Sequence, residues 1–285
     1  MNTLKTATRL ALLSALLVIG GGALMGRSGL YLGLCFAAVM NFGSYFFSEK
    51  IALLSYSARP VTPTGNSAIY HRVAPIAGRL SQRMKLPMPK LWVIPQQSPN
   101  AFATGRNPSH ASVALTAGIL EVMDDRELEG VIAHELGHVL HRDILISSVA
   151  AMLAGTITML ASMARWGMIF GGLSRDDDDR GGGGIFGELL MMLLAPIAAA
   201  LIQAAISRSR EYEADAASAR YTGTPYELIS GLRKLEAYSR RIPLDASPAT
   251  AHMFIVKPFT GRTVMNLFST HPPTAERIAR LQAIR

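Results

Sequence analysis

Residues 134–138 read His-Glu-Leu-Gly-His. On a helix the two imidazoles stand about one turn apart and project from one face. They can then share a single Zn2+ at about 2.0–2.1 Å, with Glu135 beside the coordination position left open for water. This is the layout of metal-assisted hydrolysis, in which the ion polarises a carbonyl and the acid takes a proton from the attacking water. The competing reading is a pair of structural histidines. Asp124 with Glu127 three residues on forms a capping-box pattern just upstream, so a helix is expected to begin there and carry the motif.

A catalytic zinc site takes three protein ligands, and the third must be found. In the longer zinc-protease motif it falls six residues after the second histidine, where this chain has Ile144, so that class is excluded. His141 lies about 10.5 Å along the axis from His134, too far to share its ion, and reads as structural. The one cysteine, Cys35, sits in an apolar stretch, so the chain can build neither a cysteine-based metal site nor an internal disulfide. A distal acid is therefore required. Residues 207–218, SRSREYEADAAS, offer Glu211, Glu213 and Asp215. Glu211 and Asp215 are four apart and share a helix face, so one can ligate while the other accepts a hydrogen bond from the far nitrogen of a ligating imidazole. The alternative is a solvated acidic surface paired with Arg208 and Arg210.

The elements that must position these groups are interleaved with apolar runs. The 285-residue chain is 49% hydrophobic and only 17% charged, and its uncharged stretches come in two pairs, 10–26 with 28–48 and 144–164 with 189–207. Each approaches the roughly 20 residues of a spanning helix. A cleaved signal peptide is the other reading of the first run, but a second full-length run after the lone Arg27 favours an anchoring hairpin. Pro196 interrupts one member of the later pair, which can also be read as partly buried helices. Basic residues flank the runs at Lys5, Arg9, Lys50, Arg59, Arg142, Arg208 and Arg210, against Arg27 alone in the first connection, so both termini and both polar regions are expected on the cytoplasmic side. The net charge of +8 is scattered, with no aromatic-studded basic platform, which argues against nucleic acid and for anionic lipid. The tract SRDDDDRGGGGIFG at 174–187 reads as a solvated connector, its aspartates lacking the alternation of a calcium loop.

The polar stretches 49–143 and 208–285 are then expected to fold together as one domain interrupted by the second hairpin. Residues 66–85 read as a helix, 90–95 and 111–116 as short strands, Thr224-Pro225 as a helix start, and Thr274 as the cap of a last amphipathic helix holding Ile278 and Leu281.

With these features in view, the chain resembles the HtpX heat-shock family of bacterial inner-membrane metalloproteases, relatives of the CAAX prenyl endopeptidases. The likeness runs over nearly the whole chain: the paired N-terminal anchor, Asn100-Ala101-Phe102-Ala103-Thr104-Gly105, the HELGH helix ending in Arg142-Asp143, Glu211-x-x-x-Asp215, and Ser269-Thr270-His271-Pro272. The resemblance implies a mixed α+β gluzincin (zincin-like) domain, mostly helical, over 49–285, with a transmembrane hairpin at 1–48 and an apolar helical hairpin inserted at 144–207. It implies one Zn2+ per subunit held by His134, His138 and Glu211, Asp215 as companion to a ligand, Glu135 as base, and His271 steadying the developing oxyanion. It implies a multi-pass protein of the bacterial inner membrane with a cytoplasmic catalytic domain, cutting misfolded or damaged membrane proteins. The segment from Asn100 to Thr104 precedes a strand and is expected to pair with an extended substrate, with Asn100, Ala101 and Phe102 as the candidate contacts. Two other classes remain: an intramembrane protease, which would carry the motif inside an apolar span where here charged residues precede it, and a scaffold with a structural zinc, whose fourth protein ligand the single cysteine makes hard to find.

Overall fold

The structure is a computed structural model that describes residues 2–145, 208–239, 241–242, 254–255 and 272–284. Residues 146–207 of the expected hairpin at 144–207, and His271, lie outside the described residues.

The chain opens with helix α1, Asn2–Ser55. Gly26 adopts the left-handed conformation at φ 60°, and a Cβ on Gly22 would fall 2.6 Å from the side chain of Leu30. In a straight helix residues eight apart are separated by about 12 Å, so the chain turns back at Gly26. Among the described residues no helix is long and apolar enough to cross a membrane. The two expected N-terminal spans therefore rest on the apolar runs of the sequence.

Beyond α1 lie the short strand β1 (Arg59–Pro60) and helix α2 (Ser67–Met84), which buries Val73, Ile76, Ala77, Leu80 and Met84 at helical spacing. Strands β2 (Lys90–Ile94), β3 (Ala101–Gly105) and β4 (Ala111–Thr116) complete a sheet of order β1-β2-β4-β3. The central strand β4 runs parallel to β2 and antiparallel to β3, and is buried along its whole length. Strand β3 was expected only as a segment leading into a strand. It is itself the sheet's outer strand, because the turn through Pro108–His110 folds it back on β4.

Thr116 caps the short helix α3 (Ala117–Val122), and Asp124 then caps α4 (Asp125–Leu140) with the reciprocal bond from its own backbone N–H to Glu127. Arg72 of α2 pins this junction by donating to the carbonyls of Leu120 and Met123 and to Asp125. Glu127 also accepts from Ser230 and Lys234 of α6 (Tyr226–Ser239), so the start of α4 is fastened from two sides. Helix α4 is apolar nearly all round, with Leu128, Val131, Ile132, Ala133, Leu136 and Val139 buried, as befits the central helix of a domain. Around it stand α2, α6, strand β3 and helix α5 (Arg208–Thr222), with α7 (Thr274–Gln282) closing over α5 and α6. Thr274 proves to be the first residue of α7, not its cap; Pro273 holds the cap position without a side-chain bond.

Two glycines let α4 touch its neighbours through backbone. A Cβ on Gly137 would lie 3.1 Å from Cα of Ala214 and 3.2 Å from Cβ of Ala217, both on α5. A Cβ on Gly130 would lie 2.6 Å from the backbone nitrogen of Leu228 on α6. In an open helix Gly→Ala gains about 1 kcal/mol, and Gly78 of α2, where an added Cβ would meet nothing within 4 Å, should behave that way. At Gly130 the obstacle is backbone, which cannot step aside. Thermal unfolding should therefore show Gly130→Ala destabilised by about 1–3 kcal/mol while Gly78→Ala is neutral or slightly stabilised.

Candidate metal centre

His134 and His138 leave α4 one turn apart, their ring centroids 4.8 Å from each other. Glu211 enters from the first turn of α5, where the close approach at Gly137 brings that helix alongside. Its carboxylate stands 3.7 Å from Nε2 of His134 and 3.5 Å from Nε2 of His138. Each of these residues offers a ligand atom, and the three atoms lie within 4.8 Å of one another. Two atoms each about 2.1 Å from one ion at the tetrahedral angle are about 3.4 Å apart, so the donor set and its spacing suit a four-coordinate cation.

The far nitrogen of each ring meets its own carboxylate. Nδ1 of His134 lies 3.0 Å from Oδ1 of Asp215, one turn beyond Glu211 on the same face of α5. Nδ1 of His138 lies 3.4 Å from Oδ2 of Asp143. Asp143 reaches back because His141 caps α4 and Arg142 then takes the left-handed conformation at φ 59°, reversing the chain. Sequence reasoning gave Asp143 no role of its own, since nothing in the residue order announces a left-handed arginine.

Arg277 of α7 was also missed, and it is buried against the cluster. It donates from Nε and Nη2 to the two oxygens of Asp215 at 2.9 and 2.6 Å. The available signal was its position four residues before Leu281, which puts a charge on the apolar face of α7.

These neighbours set the charge states. Burial and the Arg277 cation hold His134 down to about 4, against the pull of Asp215. Burial also disfavours the charged form of His138, but the bond to Asp143 and the charges of Glu211 and Glu135 outweigh it and raise the ring to about 9. Burial opposes ionisation of Asp215 too; Arg277 overcomes it and brings the carboxyl to about 2. His134 is thus a neutral ring donating to an ionised carboxylate, while the surroundings of His138 favour a positive charge that a proton or a metal ion can supply.

Glu135 is buried beside the pair, close enough for its charge to act on His138 and Arg277. Glu213 is exposed, and His141 ends α4 outside the cluster. Asn100, Ala101 and Phe102 are buried on the outer strand. The Thr116 amide donates to Asn100, so by the antiparallel alternation Asn100 and Phe102 face β4, whereas the amide and carbonyl of Ala101 and Ala103 point to the outer edge. The Ala101 carbonyl accepts there from the amide of Ile255.

A helix carrying His-Glu-x-x-His, backed by a sheet and joined by an acid from helix α5, defines a metallopeptidase of the zincin class. Known proteins point the same way. The family model of peptidase family M48 matches residues 68–285. A curated Protease HtpX homolog from Desulforapulum autotrophicum is 54% identical over 281 residues, 99% of this chain and 89% of the relative. Another from Thermodesulfovibrio yellowstonii is 54% identical, with 100% and 99% covered, and Protease HtpX from Legionella pneumophila is 47% identical, also with 100% and 99% covered. The crystal structure of S. mikatae Ste24p superposes with a TM-score of 0.54 at 19% identity, covering 98% of this chain and 65% of that one, which bears on fold alone. The chain belongs to peptidase family M48 and is a metallopeptidase.

If Asp215 is removed, Arg277 is left buried without its carboxylate. Chemical denaturation of Asp215→Ala should show a loss of about 3–5 kcal/mol. Asp125→Ala, which breaks an ion pair whose carboxylate is 68% exposed, should lose far less.

Proposed function

We propose that this chain is a membrane-bound zinc endopeptidase in which His134, His138 and Glu211 hold one Zn2+ per subunit and Glu135 is the base. The observation that carries the reading is the pair of 3.7 and 3.5 Å separations between Glu211 and the two Nε2 atoms. Zinc bound there supplies a Lewis acid that polarises a peptide carbonyl and acidifies water. Glu135 accepts the proton of the attacking water and later passes it to the leaving amine. Asp215 and Asp143 face the Nδ1 atoms and so favour the tautomers that leave both Nε2 atoms, each near Glu211, free to ligate. His271 is assigned, on the resemblance above, to the developing oxyanion.

Substrate is proposed to lie extended along the outer edge of the strand entered through Asn100, Ala101 and Phe102. Main-chain pairing at Ala103 suits broad specificity, since it reads backbone before side chains. We assign 1–48 to the anchoring hairpin and 49–285 to the peptidase domain, with the apolar hairpin 144–207 set into it. Helix α1 supports the membrane reading by leaving Tyr31 and Val39 well exposed, at 71% and 68%, with Leu32, Leu34 and Phe42 also exposed nearby. So broad an apolar face calls for lipid. The flanking basic residues support a cytoplasmic catalytic domain, and the family resemblance supports the bacterial inner membrane as its site. Misfolded or damaged membrane proteins are the proposed substrates.

Glu135→Gln should abolish cleavage of unfolded casein by the detergent-purified, zinc-loaded protein while zinc content stays near that of the parent. Activity within about tenfold of the parent would remove Glu135 from the role of base. For topology, Cys35→Ser supplies a cysteine-free background. In intact cells with a membrane-impermeant thiol reagent, Ser174→Cys should label and Ser247→Cys should be protected. Protection at both would mean that the second hairpin does not cross.

A further inference from the structure

Arg277 is the largest fully buried side chain among the described residues, and the proposed mechanism gives it no task. A guanidinium has five N–H donors, no acceptor and a permanent charge, so enclosing it costs several kcal/mol unless its donors are met. Here its fork grips both oxygens of Asp215, and Nη1 donates to the Ile255 carbonyl at 3.0 Å. The oxygen that receives Nη2, Oδ1 of Asp215, is the same one that lies 3.0 Å from Nδ1 of His134. Nη2 also lies 3.4 Å from both ring nitrogens of His134, an equal spacing that sets the guanidinium over the face of the ring and not in its plane. Nη1 is 3.8 Å from Oε2 of Glu211.

We infer that Arg277 is a positioning residue for the metal ligands: by locking Asp215 and lying on the ring of His134, it aims Nε2 of that ring at the point Glu211 faces. The inference rests on the reading of His134, His138 and Glu211 as the ligand set. Ile255 extends the connection, because its amide donates to the Ala101 carbonyl of β3 while its carbonyl takes Nη1. The outer strand, Ile255, Arg277, Asp215 and His134 thus form one hydrogen-bonded path. A lysine cannot replace the arginine here, since a single ammonium cannot bridge both carboxylate oxygens and a carbonyl in fixed directions.

A purely structural role would look different. The Lys234–Glu127 pair at the opposite end of α4, also with a buried carboxylate and a 2.6 Å contact, makes no contact with the cluster and serves as the control. The full chain, purified in detergent and stripped of metal, is compared as parent, Arg277→Lys, Arg277→Gln and Lys234→Met. Zinc affinity is measured by competition with a chromophoric chelator, ligand geometry by the visible absorption of the Co2+-loaded form, and stability by thermal unfolding without metal. Arg277→Lys should bind zinc about 10- to 100-fold more weakly with an altered Co2+ spectrum. Lys234→Met should unfold at lower temperature with affinity and spectrum unchanged. Parent affinity and spectrum in Arg277→Lys would overturn the inference alone. Failure of both Arg277 variants to fold while Lys234→Met folds would assign Arg277 to the scaffold and overturn it too. A parent that takes up no zinc would overturn the ligand reading, and this one with it.

Discussion

The backbone-to-backbone approach of α4 and α5 is the constraint on which the site depends. Gly137 has the Cα and Cβ of Ala214 and the Cβ of Ala217 beside the place where a side chain would begin, and the Ser218 hydroxyl donates across to the carbonyl of Gly130 at 2.7 Å. A larger residue on either face would separate the helices by an ångström or more, since packed interiors have little room to absorb added volume. Glu211 sits at the start of this seam and has a short side chain. It can face both imidazoles only because the helix axes are so close. The small residues Ala214, Ala217 and Ser218 thus help set the geometry of the metal centre.

Electrostatics then decides where each group points. Several carboxylates converge on two imidazoles in a space from which water is largely excluded, and left alone they would repel one another or take up protons. Arg277 offsets that excess from one side, and Arg210, 3.9 Å from Asp143, does so from the other. The contrast with Arg72 and Asp125 is one of burial. That pair is as short, at 2.7 Å, but its carboxylate is open to solvent, so screening leaves it worth about 0–1 kcal/mol. The buried pair is not clearly better than an apolar replacement in free-energy terms. Its return is directional, because a fixed Asp215 allows His134 one tautomer and one ring orientation.

Local signals in the sequence carried a long way. Helix α2, strands β2 and β4, the capping box at Asp124 and the shared face of Glu211 and Asp215 all follow from periodicity and cap chemistry, which act over a few residues. What escaped depends on distant packing or on an unusual backbone choice. Strand β3 was seen only as an approach to a strand, since its five residues are buried on both faces and show no alternation. Asp143 needs the left-handed turn at Arg142, an uncommon conformation for that residue type. Arg277 needed the recognition that a charge on an apolar helix face must find a buried partner, and Thr274 looked like a cap because Pro273 has no side-chain acceptor to compete with it.

The same contacts separate the site from the length of chain inserted into it. Helix α4 ends at Leu140 and α5 begins at Arg208, yet Asp143 and Arg210 meet across that interval. The two ends of the intervening chain are therefore held together by the helix packing and by this pair. Loop-closure entropy rises only with the logarithm of length, about 0.6 kcal/mol for each doubling, so a long segment can be carried between two such fixed points at little thermodynamic penalty. Among the described residues, the spacing of the ligands is consequently set by the close approach of Gly137 to Ala214 and Ala217.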